Sequence, residues 1–203
     1  PEHAQESCGF GLITHQYGEA SHELVVTACK ALTRMTHRGA IAADGKTGDG
    51  CGLLMQFPQT FFPQLAEDEG IQPARMFGLG MVFMNTDPVL AQQSRDILEK
   101  HINNEMMGVA GWRTVPVNPA VCGKVALESL PTIEQVFVNA PPGWGPHDIE
   151  RRLFVARRMA AAENETLEQP DELFYVATLS NLTVVYKGLV MPENLPEFYP
   201  DLK

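Results

Sequence analysis

Ser7–Cys8–Gly9–Phe10–Gly11–Leu12–Ile13–Thr14–His15 places a thiol at the mouth of a small, apolar, β-prone stretch. Residues 9–15 read as a buried strand, and residues 1–7 as a short polar leader ahead of it. A cysteine taken alone reads as inert core. The position of Cys8 adds a second reading. If the leader were removed, Cys8 would carry a free α-amino group, a base of pKa ~8. Such an amine can take the thiol proton directly or through water, so the nucleophile needs no separate histidine. Gly9 and Gly11 leave room for a substrate or another backbone beside the thiol.

Moving outward, Tyr17–Gly18 signals a turn and Ser21 an N-cap, with Glu23 in the first helical turn. Leu24, Val25, Ala28, Cys29, Leu32 and Met35 recur at helical spacing, which predicts a helix ending near Arg38 with Gly39 as its C-cap. Residues 40–50 form a Gly- and Asp-rich loop, and residues 51–57 (CGLLMQF) a second buried strand. The two strands, 9–15 and 51–57, are expected side by side in one sheet with the helix across them. Further on, the pattern predicts a short helix within 58–70 and a strand over 76–84. A helix from Asp87–Pro88 to about Asn103 and strands over 108–117 and 132–138 follow. A helix over 147–163 and a hairpin of 174–180 with 183–186 around Asn181 complete the reading. Leu90, Ser94, Ile97, Leu98 and Ile102 share one face of the helix that begins at Asp87–Pro88. Strands and helices in this order argue for an α+β or layered fold, not a bundle.

Several function classes fall away on composition. The chain has 203 residues, enough for one domain or a piece of a larger one. Lys and Arg number 15 against 25 Asp and Glu, a formal charge of -10, which disfavours nucleic acid as a partner. The main basic cluster, Arg151, Arg152, Arg157 and Arg158, reads as the solvated face of an amphipathic helix. No apolar run approaches membrane-spanning length and the N-terminus lacks a secretory pattern, so a cytoplasmic protein without a membrane partner is expected. Cys8, Cys29, Cys51 and Cys122 form no C-x-x-C pair, which gives no metal site, and reduced thiols are the default. Cys29 reads as core, Cys51 as a small buried thiol, and Cys122 shows no chemistry. Gly45–Lys46–Thr47 invites a phosphate-loop reading. The glycine that loop requires is replaced by Ala40, a helix precedes and a strand follows, and Asp44 and Asp49 would repel phosphate.

Cys8–Gly9–Phe10–Gly11, then His37–Arg38–Gly39, then Thr47–Gly48–Asp49–Gly50–Cys51–Gly52 running into an apolar strand, together resemble class II glutamine amidotransferases. Within that family the pattern is most similar to glutamate synthase large subunits. Leu130 to Ala140 (LPTIEQVFVNA), Glu150–Arg151–Arg152–Leu153–Phe154, and Phe174 through Ser180–Asn181–Leu182 to Tyr186–Lys187–Gly188–Leu189 agree with them as well. The resemblance implies an N-terminal-nucleophile hydrolase fold, a four-layer αββα sandwich that is incomplete in this chain. It implies a leader over 1–7 and the front part of the amidotransferase domain over 8–203. Cys8 carries over as the catalytic nucleophile, and Arg38 and Gly39 as substrate-binding positions. L-glutamine is the implied substrate, hydrolysed to glutamate and ammonia through a γ-glutamyl thioester. The rest of the large subunit, and a small subunit or a ferredoxin, are the implied protein partners. No cofactor is expected in this segment, whereas FMN and an iron–sulfur cluster are implied for the full-length parent.

The family's H-Q-R-F-S-T and N-G-E types of stretch, which supply glutamine contacts and oxyanion donors, do not occur in the 203 residues. The expectation is therefore that this chain alone does not hydrolyse glutamine. Two other readings stay open at this point. One is a non-catalytic remnant that folds and associates. The other is an unrelated cysteine hydrolase using Cys8 with His15 or His37.

Overall fold

The computed structural model describes residues 9–36 and 40–203. The chain divides into two compact units. One takes in the chain as far as Leu53, with Pro116–Leu130 and Tyr186–Lys203; the other comprises Leu54–Val115 and Pro131–Val185.

The second unit is built on a four-stranded antiparallel sheet. Its strands are β2 (Phe77–Met84), β3 (Gly108–Thr114), β4 (Thr132–Asn139) and β5 (Tyr175–Ser180), in the spatial order β3-β4-β2-β5. β2 is flanked on both sides, running from Phe77 opposite Asn139 to Met84 opposite Thr132 on β4. Alternation assigns the two faces. Val82 and Met84 of β2, with Val136 and Val138 of β4, join one apolar cluster with Ile97, Leu98 and Ile102 of α3 (Pro88–Asn104) and Ile149, Leu153, Ala156 and Ala160 of α5 (Pro146–Glu165). On the other face Phe77 stacks with Phe137 at 6.0 Å and meets Phe57, which packs on Phe62 of α2 (Phe61–Asp68). Both faces of β2 are covered, which explains its nearly unbroken apolar run.

Two helices, α3 and the first helix of the chain, begin at a side chain that satisfies free backbone donors. Asp87 accepts from Val89 N and Leu90 N at the start of α3, with Pro88 in the first turn. Buried polar groups tie the helices down. Arg95 on α3 is ion-paired and hydrogen-bonded to Glu134 on β4. Asp171 accepts from Ser94 Oγ at 3.0 Å and Asn85 Nδ2 at 2.9 Å, and its backbone is bracketed by the Asn164 side chain.

The first unit contains α1 (His22–Thr33), the short α4 (Lys124–Glu128), α6 (Leu195–Phe198) and 3-10 turns at Pro119–Val121, Pro192–Asn194 and Pro200–Leu202. Its core is aromatic. Tyr199 packs edge-on to Tyr186 at 5.0 Å and to Phe198 at 4.7 Å, and donates its hydroxyl to Lys187 O at 2.7 Å. β1 (Cys51–Gln56) pairs with β6 (Thr183–Gly188) in a two-stranded sheet.

Three expectations are corrected. Residues 9–15 form no strand, and Phe10 and Leu12 are 93% and 86% exposed. A β-prone segment becomes a strand only when a neighbour takes its backbone hydrogen bonds, and among the described residues β1 is paired with β6 and not with 9–15. The first helix ends at Thr33, with Arg34 as its C-cap, several residues before Arg38. There Thr33 and Thr36 turn their hydroxyls onto Cys29 O and Thr33 O, satisfying the last carbonyls without a glycine. Residues 174–180 and 183–186 are not a hairpin, because β5 pairs with β2 and β6 with β1. Ser180 makes the corner: its hydroxyl donates to Glu150 of α5 and accepts from Leu182 N and Thr183 N, so the chain leaves one sheet for another.

Candidate active site

Cys8, Arg38 and Gly39, the residues expected to carry the chemistry, lie outside the described residues, as does His37. What can be built from the residues upward is the frame that follows each of them in the chain, within the first unit.

The α1 helix starts at Ser21, whose Oγ accepts from Leu24 N, and carries Cys29 on its buried side. Beyond its end Thr36 Oγ also reaches Glu193 Oε2 at 3.2 Å on the Pro192–Asn194 turn. After residues 37–39 the chain forms a small hairpin. Ile41 bridges Gly48, Ala42 N donates to Thr47 O at 2.9 Å, and Asp49 N donates to Ala40 O. Asp44 organises its tip. Oδ1 accepts from Lys46 N and Thr47 N at 3.0 and 2.8 Å, and Oδ2 from Thr47 Oγ1 at 2.6 Å and Val125 N at 3.2 Å. Thr47 Oγ1 in turn accepts from Ala126 N at 3.3 Å. The pair thus caps the N-terminus of α4 from a distant part of the chain. These donors, the Thr47 hydroxyl foremost, hold the Asp44 carboxyl well below the usual carboxylate range.

The glycines of Thr47–Gly48–Asp49–Gly50 have identifiable tasks. A Cβ on Gly48 would stand 2.8 Å from Val190 O, so the loop passes directly against that backbone. Gly50 holds φ at 112°, a conformation side chains resist, and turns the loop into β1. No phosphate cradle results, because the Asp44 carboxylate already occupies the donors at this tip.

Three thiols are described, and each is kept neutral. Cys51 donates its Sγ proton to Val190 O at 3.3 Å. Burial, helped by the charges of Glu193 and Asp49, pushes its pKa up to about 12. Cys29 and Cys122 are buried, and burial raises both. None of the three is poised as a thiolate. His15 has its Nδ1 accepting from Glu19 N at 3.2 Å and its ring edge-on to Tyr17, so it closes a local turn. Among the described residues no cluster of His, Cys, Asp or Glu is gathered for a metal, and no helix is long and apolar enough to cross a membrane.

The sequence reading missed the partners of this frame. Val125, Ala126 and Val190 meet the 44–51 region from 81, 79 and 139 residues away in the chain. The distant partners contribute only backbone atoms to these contacts, so no side-chain pattern of theirs announces them.

The chain is similar in sequence to known proteins. The chain is 39% identical over its whole length to the glutamate synthase [NADPH] large chain of Bacillus subtilis. It is 36% identical over 97% of its length to the chloroplastic ferredoxin-dependent glutamate synthase of rice, Oryza sativa subsp. japonica. It is 35% identical over its whole length to the glutamate synthase [NADPH] large chain of Azospirillum brasilense. It spans only 12–13% of the length of these relatives. Residues 8–203 match the family described as glutamine amidotransferases class-II. With its α+β architecture and four-stranded antiparallel sheet, the chain belongs to the class II glutamine amidotransferases.

Proposed function

We propose that this chain is the front part of a glutamine-hydrolysing domain whose nucleophile is Cys8, freed by removal of residues 1–7. The observation that carries the reading is the contrast among four cysteines. The family match opens on Cys8, whereas Cys29, Cys51 and Cys122 sit in surroundings that keep them as thiols. In this reading the α-amine of Cys8 takes the thiol proton, and sulfur attacks the side-chain amide carbon of L-glutamine. The tetrahedral adduct collapses to a γ-glutamyl thioester as the proton is passed to departing ammonia. Water then cleaves the thioester to glutamate and returns the thiol. Arg38 and Gly39 bind substrate at the edge of the site.

The wider proposal follows from the relatives. In a longer protein the released ammonia would be joined to 2-oxoglutarate in a part of the large subunit that holds FMN and an iron–sulfur cluster. Electrons would come through a small subunit or a ferredoxin. The compartment proposed is the cytoplasm, and the 203 residues by themselves are proposed to be inactive.

The test is made on a full-length protein that carries this chain. Intact mass and peptide mapping should show loss of residues 1–7 and, after treatment with a diazoketone analogue of glutamine, a single adduct on Cys8. Cys8→Ala should abolish glutaminase activity. A fully active protein that keeps its leader would remove the N-terminal-nucleophile mechanism.

A further inference from the structure

The arginine cluster of α5 is not explained by glutamine hydrolysis. The inner side of this helix is completely buried at Ile149, Leu153, Ala156 and Ala160. Its outer side carries Arg151 and Arg158 with two large apolar side chains between and beside them, Phe154 at 58% and Met159 at 50% exposure. Arg152 is consumed within the fold, paired with Glu105 and lying over the Trp144 ring at 4.6 Å. Arg151, Arg157 and Arg158 make no ion pair among the described residues, although the chain has ten more acidic than basic residues.

The same stripe changes sign along its length. Arg151, Arg158 and Glu165 recur every seven residues, two helical turns or about 10 Å apart. Glu168 and Glu172 follow α5 in the turn and loop just beyond its C-terminal end; all three glutamates are exposed and make no ion pair among the described residues. The exposed side therefore carries two arginines with Phe154 between them and Met159 beside the second, and turns acidic at its C-terminal end. A strip of this kind is complementary to itself when reversed, the property a two-fold interface needs.

We infer that the outer face of α5 docks on the α5 of a second copy of this chain, the two helices antiparallel. The two-fold axis passes beside Met159, between Arg158 and Ala162. Arg151 and Arg158 of each copy then lie along Glu165 and Glu168 of the other, with Met159 shielded at the centre. The helix is about 30 Å long, so the area covered is small and the association is weak and salt-sensitive. A nucleic acid or an anionic membrane is disfavoured as the occupant by the net charge of -10.

Sedimentation of the 203-residue chain from about 10 to a few hundred micromolar, the range suited to a small interface, tests this. A dimer should build with concentration at low salt and fade at about 0.5 M salt. The double variant R151E/R158E should weaken it by roughly tenfold or more, and E165R/E168R likewise. An equimolar mixture of the two double variants should restore a dimer, now mixed. All four positions point to solvent, and circular dichroism identical to the parent would show each variant folded. A parent that stays monomeric throughout overturns the inference. So does a dimer that survives either double reversal, or a mixture that fails to associate.

Discussion

Residues 9–13 (GFGLI) and the first part of β2, Phe77–Gly78–Leu79–Gly80–Met81, are written in nearly the same alphabet, and they end in opposite states. In β2 every one of Leu79, Met81, Val82 and Met84 is sealed from water, with β4 and β5 on either edge. Along 9–13 Phe10 and Leu12 stand almost fully exposed, and no strand forms. Apolar, β-prone composition describes what a segment can bury, not whether a neighbour is there to receive its hydrogen bonds and cover its faces. β2 has helices on one side and an aromatic cluster on the other, so each residue of its alternation finds a layer.

The sharpest way to break that comparison is to truncate one side chain in each segment. Met81→Ala removes a fully buried side chain from the central strand and should cost about 2–5 kcal/mol. Leu12→Ala, in the exposed segment, should stay within about 0.5 kcal/mol. Thermal unfolding of both variants beside the parent decides. Equal losses would mean that residues 9–15 are buried in solution. A second pair uses glycine. A Cβ on Gly80 would stand 2.5 Å from Val136 Cγ1, and the branched valine has little rotamer freedom with which to yield. Gly80→Ala should therefore destabilise by about 1–3 kcal/mol through overpacking. A Cβ on Gly11 meets only Met35 Cε at 3.9 Å, so Gly11→Ala should leave the melting temperature nearly unchanged, a shift below about 2 °C.

The elements that could be read from the sequence share one property: their partners are reflected in their own periodicity. Ser94, Ile97, Leu98 and Ile102 stand on the buried side of α3 as their spacing requires, and Asp87 caps it as its residue type suggests. Ser21 likewise caps α1. What could not be read depended on atoms without a sequence signature. The α4 helix is five residues long with a glycine at its N-cap position, and its capping oxygens come from Asp44 and Thr47. Ser180–Asn181 carries the turn chemistry of a hairpin, but Glu150, thirty residues earlier, holds it as a corner between two sheets. In the candidate site, Gly48 is required by the backbone of Val190, and the neutral state of Cys51 follows from burial and then from the charge of Glu193; no local motif places Val190 or Glu193 beside the 48–51 segment.

Cys51 gives the smallest expected effect and sharpens the comparison at the level of chemistry. It opens a paired strand, whereas Cys8 precedes the unpaired segment. A thiol whose folded pKa is pushed up to about 12 stabilises the fold fully below its unfolded pKa of ~8.5, and that contribution is lost as pH rises through the folded value. Tyr199 acts in the same direction, since burial raises its pKa as well. Melting temperature should therefore fall as pH is raised from 8 toward 11, and it should fall less steeply in Cys51→Ala, which has no thiol to ionise. At pH 8 the substitution removes one hydrogen bond to Val190 O and should cost only about 1 kcal/mol. In a full-length protein carrying this chain, Cys51→Ala should keep glutaminase activity within a few-fold of the parent, while Cys8→Ala should lose it. An equal loss from the two substitutions would show that the thiol held against Val190 takes part in the reaction, and would undo the contrast on which the assignment of Cys8 rests.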